Sequence, residues 1–400
     1  MTQSTFIETR SDADSRIIGL VSAAHFVSHY YSLLLPPLFA FVRADYGVSY
    51  TEVGLALAAF NIVSATLQTP VGFLVDRLGA RNLLIGGILI GAVAIAVAAL
   101  VNSFWVMVAM FGFVGLANTV YHPADYAILS HHVSSERISK AFSIHTFAGM
   151  LGSSAAPASL LVMQTMWGWR GAYLGAAIMA ALVALVLIVF LDSSTGRVEK
   201  KPVQDDGKLA GWSLLLSTPI LLNLAFFTFI ALMNVGTTNY SVVALGALYG
   251  TLPSAANTGL TAYLLASAFG VLAGGVLSTW TSRHGLLAAL GLLVCSATAL
   301  SFGTFDFGSA LLIAIMTVGG FAYGIIMPAR DLIVRDVTPP GSFGKVFGFV
   351  TTGFNIGGIV APFIFGAMMD YAHPSWVFSA VAAFALLSVL TVVTVPKRPS

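Results

Sequence analysis

Four histidines and one aspartate lie inside long apolar stretches of the sequence, where a charged side chain is unusual. His25 and His29 are four residues apart in one stretch. His122 precedes Asp125 by three residues in a second stretch, and His145 lies in a third. Ionisable groups inside a membrane span cost about 2.5–3.5 kcal/mol each on insertion scales and therefore mark functional sites. Because histidine titrates near neutral pH, we predict a proton relay built from His29, His122, Asp125 and His145.

Two other interpretations of these histidines stay open. The residues are scattered over three apolar stretches and lack the tight ligand spacing of a zinc motif, so the sequence favours a metal site less than a proton relay. A single histidine in a membrane helix can also serve only to hydrogen-bond a neighbouring helix. The sequence predicts neither a resident metal nor a cofactor.

A second group of charges, Arg330-Asp331 and Arg335-Asp336, lies in one apolar stretch near the C-terminus. The i,i+4 spacing predicts an ion pair between Asp331 and Arg335. Arg330 lies deeper and aligns with Asp125 when the two halves of the chain are superposed in sequence. Arg330 fits two roles: a gate pair with Asp125, or a clamp that holds a carboxylate or phosphonate through two parallel hydrogen bonds.

Uncharged polar residues inside the apolar stretches complete a predicted central pocket. Each of them can instead join two helices by a hydrogen bond worth about 0.6 kcal/mol. Together with the histidines and the arginine, the predicted substrate-binding set is His25, His29, Asn61, Gln68, Asn118, Tyr121, His122, Asn234, Tyr263, Tyr323, Arg330 and Asn355.

The amino-acid composition indicates the kind of structure that positions these residues. Of the 400 residues 58% are hydrophobic and 8% are charged, whereas soluble domains carry about 25% charged residues. This excludes a soluble enzyme and a disordered chain, and the net charge of +2 offers no basic field for nucleic acid. The lipid bilayer is therefore the expected surrounding, and the single Cys295 excludes an intrachain disulfide.

A bilayer core of about 30 Å requires roughly 20 apolar residues per helix. The sequence predicts an all-α membrane protein with twelve transmembrane helices arranged as two pseudo-symmetric six-helix bundles. The predicted helices span residues 17–42, 53–75, 82–101, 104–130, 140–166, 170–191, 213–236, 257–280, 285–304, 307–334, 343–369 and 374–395.

Lysine and arginine positions predict the orientation of these helices in an inner or plasma membrane. With both termini in the cytoplasm, only Arg43 and Arg170 lie outside, and Arg330 lies within a span. This distribution follows the positive-inside rule.

The two halves of the sequence repeat one another at an offset of 205 residues. Pro123 matches Pro328, Pro157 matches Pro362, and the pairs Lys140/Lys345, Phe142/Phe347 and Gly152/Gly357 follow the same offset. A charged stretch separates the two copies. We predict an N-terminal bundle at 1–191, a cytoplasmic linker at 192–212 and a C-terminal bundle at 213–400.

The connection between the second and third helices reads Gly-Phe-Leu-Val-Asp-Arg-Leu-Gly-Ala-Arg over residues 72–81. This motif resembles the signature of the major facilitator superfamily, and the twelve spans and charged linker extend the resemblance over the whole chain. The resemblance implies alternating access, with Asp76 facing the positive N-terminal end of the eleventh helix at 344–347. The predicted conformational gate comprises Gly72, Asp76, Arg77, Gly79, Arg81, Asp125, Arg330 and Asp331.

Segments around His29, His122, His145 and Pro157 further resemble the fosmidomycin-resistance group of drug:proton antiporters. That group has an aspartate where His29 stands and a glutamate directly after the proline, where this chain has Ala124 and then Asp125. The resemblance implies proton antiport. The departures fall on the residues expected to carry protons, which makes His29 the leading coupling candidate.

These observations together predict a secondary active transporter for a small organic solute, anionic or amphipathic, driven by protons, with efflux favoured and the protein acting as a monomer. The alternatives are proton-coupled import of a carboxylate metabolite and transport of a metal or metallophore. A receptor with an inactive transport core is a further alternative. An enzyme is not expected, since His131, His132 and Glu136 form the sole candidate catalytic set and lie in a loop.

Overall fold

A computed structural model describes residues 3–134, 137–192, 212–338 and 343–394. These residues form helices and no strand. The helices are α1 Gln3–Ser32, α2 Phe39–Tyr46, α3 Tyr50–Leu78, α4 Ala80–Leu100, α5 Phe104–His132, α6 Ile138–Phe190, α7 Trp212–Leu215, α8 Thr218–Val235, α9 Ser241–Tyr249, α10 Pro253–Trp280, α11 His284–Thr304, α12 Ser309–Val337, α13 Phe343–Asp370 and α14 Pro374–Thr394.

Eleven continuous segments are long and apolar enough to cross a membrane, and one of them accounts for two crossings. Lys140–Phe190 spans 51 residues, which is about 77 Å of helix against a hydrocarbon core of about 30 Å. The backbone breaks at Gly168, where φ is +71°, a conformation that only glycine adopts without strain. The predicted pair of helices at 140–166 and 170–191 is therefore present, and the twelve-helix, all-α fold is confirmed.

The outer surface of these helices is apolar. Leu100 is 70% exposed, Trp105 65% and Val189 62%. Apolar surface of this extent is not stable in water, so these side chains face lipid.

Several predicted helix boundaries differ from those in the structure, including the starts at residues 17 and 257, where α1 begins at Gln3 and α10 at Pro253. Three further differences have an identifiable backbone cause. The first helix does not run unbroken to residue 42: α1 ends at Ser32, and a 3₁₀ turn over Pro36–Leu38 leads into α2, because consecutive prolines remove donors and disfavour helix at the preceding residue. The seventh helix continues past residue 236 through a π-helical turn, Gly236–Tyr240, into α9. The second helix begins at Tyr50 rather than at residue 53.

A complete set of caps explains why α3 begins at Tyr50. Ser49 and Glu52 form a capping box, in which each backbone N–H donates to the other side chain at 2.7 and 3.1 Å. The N–H groups of Tyr50 and Thr51 donate to the two carboxylate oxygens of Asp370 at 2.6 and 2.9 Å. The unsatisfied donors that open a helix are thereby bonded, and the S-x-x-E pattern of a capping box was legible in the sequence.

The described residues divide into two compact units. One contains the described parts of Met1–Leu38 and Ala59–Lys201, and the other those of Phe39–Ala58 and Pro202–Ser400. In the first unit α1 packs along α6 and α4 along α5. In the second, α8 packs along α13 and α11 along α12. At the offset of the sequence repeat, α8 corresponds to α1, α13 to α6, α11 to α4 and α12 to α5, so the two units have the same helix pairing.

The cap supplied by Asp370 leads to a stability prediction. Replacing Asp370 with alanine leaves two helix N–H groups without their acceptor, and loss of an N-cap acceptor costs about 1 kcal/mol. We expect the Asp370→Ala protein to melt at a lower temperature than the wild type in the same detergent. The exposed Asp336 provides the control, since Asp336→Asn removes a carboxylate from the last turn of α12, at the C-terminal end of a helix. Equal melting temperatures for Asp370→Ala and wild type would contradict the prediction.

Candidate functional site

The five ionisable residues predicted from the first half of the sequence come together inside the first unit. His25 and His29 project from α1, His122 and Asp125 from α5, and His145 from α6. The ring centroid of His25 lies 3.8 Å from that of His145, 4.6 Å from that of His29 and 5.0 Å from that of His122. We refer to these five residues as the histidine cluster.

Asp125 is the buried charge at the centre of the cluster and is fully inaccessible to solvent. Its Oδ2 lies 3.3 Å from Nδ1 of His25 and 3.8 Å from Nε2 of His145. Neither approach has hydrogen-bond geometry, and both carboxylate oxygens lack a hydrogen-bond partner within the described part of the chain. An ionised carboxylate in such a site is costly unless a positive charge compensates it.

Helix periodicity explains how these residues reach one another. His25 and His29 lie one turn apart on α1, and His122 and Asp125 lie three residues apart on α5, so each pair shares a helix face. Pro123 lies between the members of the second pair, inside α5. Such prolines are tolerated in membrane helices because neighbouring groups satisfy the freed backbone atoms.

Gly149 makes the space into which the histidines pack. A Cβ atom at this position would lie 2.5 Å from Cδ2 of His25 and 2.9 Å from Cδ2 of His29, which is closer than non-bonded carbon atoms approach. One turn further along α6, Ser153 Oγ lies 3.3 Å from Nδ1 of His29. The spacing of His145, Gly149 and Ser153 places all three on one face of α6, a signal from which Ser153 was predictable.

The aromatic ring of Tyr126 packs against two histidines of the cluster. The ring of Tyr126 lies 6.1 Å from that of His122 and 5.6 Å from that of His145, and Tyr126 is partly exposed. Tyr121 is buried, and its hydroxyl lacks a hydrogen-bond partner among the described residues. Tyr121 was predicted and Tyr126 was missed, because one tyrosine in a chain rich in aromatic residues carries no sequence signal of its own.

Asn118 lies one turn before His122 on α5 and joins three helices. Its side-chain oxygen accepts a hydrogen bond from Ser28 of α1 at 3.3 Å, and its amide donates to Ser64 of α3 at 3.5 Å. On the same helix as Ser64, Asn61 lies one turn before it and is half-buried, and Gln68 lies one turn after it and is exposed. Asn118 therefore links helices, whatever further role it has.

Arg330 is the buried charge of the second unit. Its Nε and Nη2 donate to Asp331 Oδ1 at 2.9 and 2.8 Å. The guanidinium carbon lies 4.8 Å from the ring centre of Phe227 and 5.0 Å from that of Phe354. Asp331 thus pairs with its chain neighbour, whereas the sequence spacing predicted Arg335. The two aromatic rings contact each other, with centres 5.0 Å apart, and the Arg330 guanidinium packs against this pair of rings.

The remaining predicted residues of the second unit lie on α8, α10, α12 and α13. The rings of Tyr263 and Tyr323 stack at 6.0 Å, and both tyrosines are buried. Tyr263 also lines a cavity of about 20 Å³ beside Thr237 and Cys295, which is large enough for about one water molecule. Asn234 and Asn355 are half-buried, on α8 and α13.

The predicted cytoplasmic gate is described only in part. Gly79 joins α3 to α4, and Arg77 is exposed in the last turn of α3. Arg81 Nε and Nη2 donate to the backbone carbonyls of Leu191 and Ile188 at 2.6 and 2.9 Å, so Arg81 caps the C-terminal end of α6. The side chain of Asp76 lies outside the described part of the structure, as do the surroundings of Gly72 and of Gly344 at the predicted partner of Asp76.

An apolar groove of about 810 Å³ runs along α10, α11 and α12. Its walls are formed by leucine, valine and phenylalanine side chains such as Leu265, Phe269 and Val318. It contains none of the predicted polar residues. A groove of this composition on a membrane helix bundle accommodates lipid chains, and we assign it no part in the chemistry.

Comparison with known proteins identifies the family. The sequence profile of the Major Facilitator Superfamily matches residues 21–249 and 224–400. The chain is 24% identical to the fosmidomycin resistance protein of Escherichia coli over 96% of this chain and 94% of that protein. It is 23% identical to a probable L-galactonate transporter of E. coli over 83% of this chain and 78% of that protein, and 26% identical to the probable nitrate/nitrite transporter NarK2 of Mycobacterium tuberculosis over 84% and 85%.

Solved structures of transporters share the fold. A bacterial homologue of the human lysosomal transporter Spinster has a TM-score of 0.74 at 15% identity, over 96% of this chain and 94% of its own. The nucleoside transporter NupG has a TM-score of 0.76 at 14% identity, over 95% of this chain and 100% of its own. The chain thus belongs to the Major Facilitator Superfamily, as the resemblance of its motifs indicated, and is a multi-pass membrane transporter rather than an enzyme.

Proposed function

We propose that this transporter couples proton movement to the export of a small organic anion or amphipathic solute by alternating access. In this proposal the protein acts as a monomer in the inner or plasma membrane. Its two halves span residues 1–191 and 213–400, and both termini lie in the cytoplasm. The observation that carries it is the buried carboxylate of Asp125, surrounded by imidazole rings inside the first unit.

The argument for proton coupling starts from the cost of an uncompensated charge. Asp125 has no arginine or lysine within ion-pair distance among the described residues, so its negative charge requires a proton on the carboxyl group or on a neighbouring imidazole. Histidine gains and loses protons near neutral pH. A change of exposure during the transport cycle therefore provides a means of loading and releasing a proton here.

Burial differs among the four histidines in a way that suggests a route. His25 is 3% exposed and His145 is fully buried, whereas His29 and His122 are half-buried. Protons would enter and leave through His29 and His122, and the two deeper rings would pass charge to Asp125. His29 also contacts Ser153, whose hydroxyl can donate or accept a hydrogen bond as the tautomer changes.

The argument for an organic anion rests on Arg330. Its guanidinium packs against the adjoining rings of Phe227 and Phe354, an environment that suits a solute with both an acidic group and an apolar part. Asp331, its ion-pair partner, is exposed, so an incoming carboxylate or phosphonate can replace it. Relatives named as transporters of L-galactonate, nitrate and sulfoacetate support recognition of an anion.

The direction of transport is proposed from one relative. The fosmidomycin resistance protein matches nearly the whole chain, and resistance favours export. The relative named as a galactonate transporter favours the alternative of proton-coupled carboxylate import. A thermal-shift screen of purified protein against fosmidomycin, carboxylates and cationic drugs would identify a transport probe, since ligands that bind the folded state raise its melting temperature.

The first functional prediction concerns His29. Replacing it with glutamine retains a hydrogen-bonding side chain for Ser153 but removes a group that gains and loses a proton. We expect His29→Gln in proteoliposomes to lose accumulation of fosmidomycin driven by a proton gradient while retaining downhill flux. His373→Gln, which alters an exposed histidine stacked on Trp376, should transport as the wild type does. Retained accumulation in His29→Gln would exclude this histidine as the coupling site.

A second prediction separates the two roles proposed for Arg330. If Asp125 and Arg330 gate the cavity, each single neutralisation impairs transport and exchanging the two charges restores part of it. If Arg330 is the clamp, Arg330→Gln weakens anion binding and Asp125→Asn does not. A double-mutant cycle on binding and transport measures the coupling, and independent effects of the two substitutions would dismiss the gate pair.

The third prediction follows from the motif at 72–81. We expect Asp76→Asn to insert and fold but to turn over slowly, because a charge that stabilises one conformation through a helix dipole is lost. Asp306→Asn, in the connection between α11 and α12, is the matched control. Transport at the wild-type rate by Asp76→Asn would exclude a conformational role for Asp76.

A further inference from the structure

Apart from its proposed role in proton transfer, the histidine cluster brings nitrogen atoms from three helices close together. One ring nitrogen from each of His25, His122 and His145 can be chosen so that all three lie within 4.8 Å of one another. The three histidines come from α1, α5 and α6, so only folding brings them together. An oxygen of Asp125 lies 3.3 and 3.8 Å from nitrogens of two of them.

This donor set matches the preferences of one class of ion. Zinc and similar divalent transition metals bind imidazole nitrogens at about 2.0–2.1 Å and carboxylate oxygens at about 2.0–2.2 Å, usually in a tetrahedron. Ligand atoms of such a tetrahedron are about 3.3 Å apart, as follows from those bond lengths. The two distances from Asp125 are near this value. The histidine nitrogens, which lie within 4.8 Å of one another, would approach by about 1.5 Å through side-chain rotation to complete the set.

The buried atoms of the cluster lack the partners that a packed polar group normally has. Nδ1 of His25, both oxygens of Asp125 and both ring nitrogens of His145 are buried and make no hydrogen bond in the described residues. A buried polar group that makes no hydrogen bond destabilises the folded state. A single proton satisfies one donor–acceptor pair, whereas a metal ion engages one atom from each ligand at once.

We propose that His25, His122, His145 and Asp125 form a binding site for one divalent transition-metal ion of the Zn²⁺ class. The inference uses the same cluster as the proposed proton pathway but depends on ligand geometry and not on coupling. His29 lies outside the ligand set and contacts Ser153 instead. Bound metal occupies Asp125 and its neighbouring rings and therefore inhibits transport.

The experiment measures Zn²⁺ and Co²⁺ binding to the purified full-length protein in detergent, with no polyhistidine tag. Isothermal titration should give saturable binding of one Zn²⁺ per chain, and Co²⁺ should develop the intense visible absorption of a tetrahedral site. Mg²⁺ should not compete, since it prefers oxygen ligands in an octahedral arrangement. Absence of saturable binding to the wild type would overturn the inference.

Ligand variants test the assignment to these residues. His145→Gln and Asp125→Asn should each weaken Zn²⁺ binding by more than about 100-fold, beyond the 10–100-fold loss typical of residues outside the ligand shell. His373→Gln should bind as the wild type does. Melting curves without metal establish which variants fold, and the Zn²⁺-induced rise in melting temperature should vanish in either folded ligand variant. Unchanged binding in both would overturn the assignment.

His29→Gln separates this inference from the proposed function. It should lose proton-driven accumulation yet bind Zn²⁺ with wild-type affinity. Zn²⁺ added to wild-type proteoliposomes should stop transport, and a chelator should restore it. If chelated protein shows no response to a proton gradient, the proposed function fails while metal binding stands. If proton-driven transport is present but Zn²⁺ neither binds nor inhibits, only the metal site fails.

Discussion

The structure of the first unit depends on one electrostatic constraint: a carboxylate removed from water inside a membrane protein must be neutralised or paired. Asp125 is fully buried and lies on a helix that packs among apolar neighbours. The groups that approach it are the imidazoles of His25 and His145, which can be neutral, charged or metal-bound. No arginine or lysine of the described residues lies within ion-pair distance of Asp125, and this is the basis of both proposals made above for the cluster.

The second unit meets the same constraint differently. Its buried charge is Arg330, which is always ionised and is compensated within the unit by Asp331 and by two phenylalanine rings. At the repeat offset, the counterparts of His25, His122 and His145 are apolar residues, namely Ile230, Met327 and Val350. The duplicated halves therefore retain the same helix pairing while holding charges of opposite sign and different chemistry.

Backbone atoms obey the same rule as the side chains, because hydrocarbon offers them no water to bond. The N-terminal donors of α3 are bonded by its capping box and by Asp370. In the π-helical region, Thr237 and Thr238 donate their hydroxyls to the carbonyls of Met233 and Asn234 at 2.9 Å. Such irregular turns persist where side chains satisfy the groups that the regular helix leaves free.

The sequence by itself determined the fold class, the number of membrane helices and which residues carry charge inside the membrane. Length of apolar runs and repeat spacing are local or periodic properties, so they are legible without coordinates. The break at Pro36-Pro37 was missed although it follows from a local effect of proline on the backbone. The sequence did not determine the continuation past Gly236 or the pairing of Arg330 with Asp331, because those features depend on which groups the backbone and side chains meet after packing.

Only the tertiary structure showed that His25, His122, His145 and Asp125 face one another. They come from three helices that are far apart in sequence, and their scatter made a metal site look weak. Helix packing, allowed by the missing Cβ of Gly149, brings their nitrogen and oxygen atoms within a few ångströms. Sequence spacing reports neighbours along one helix face, whereas a ligand set drawn from three helices exists only once the helices have packed.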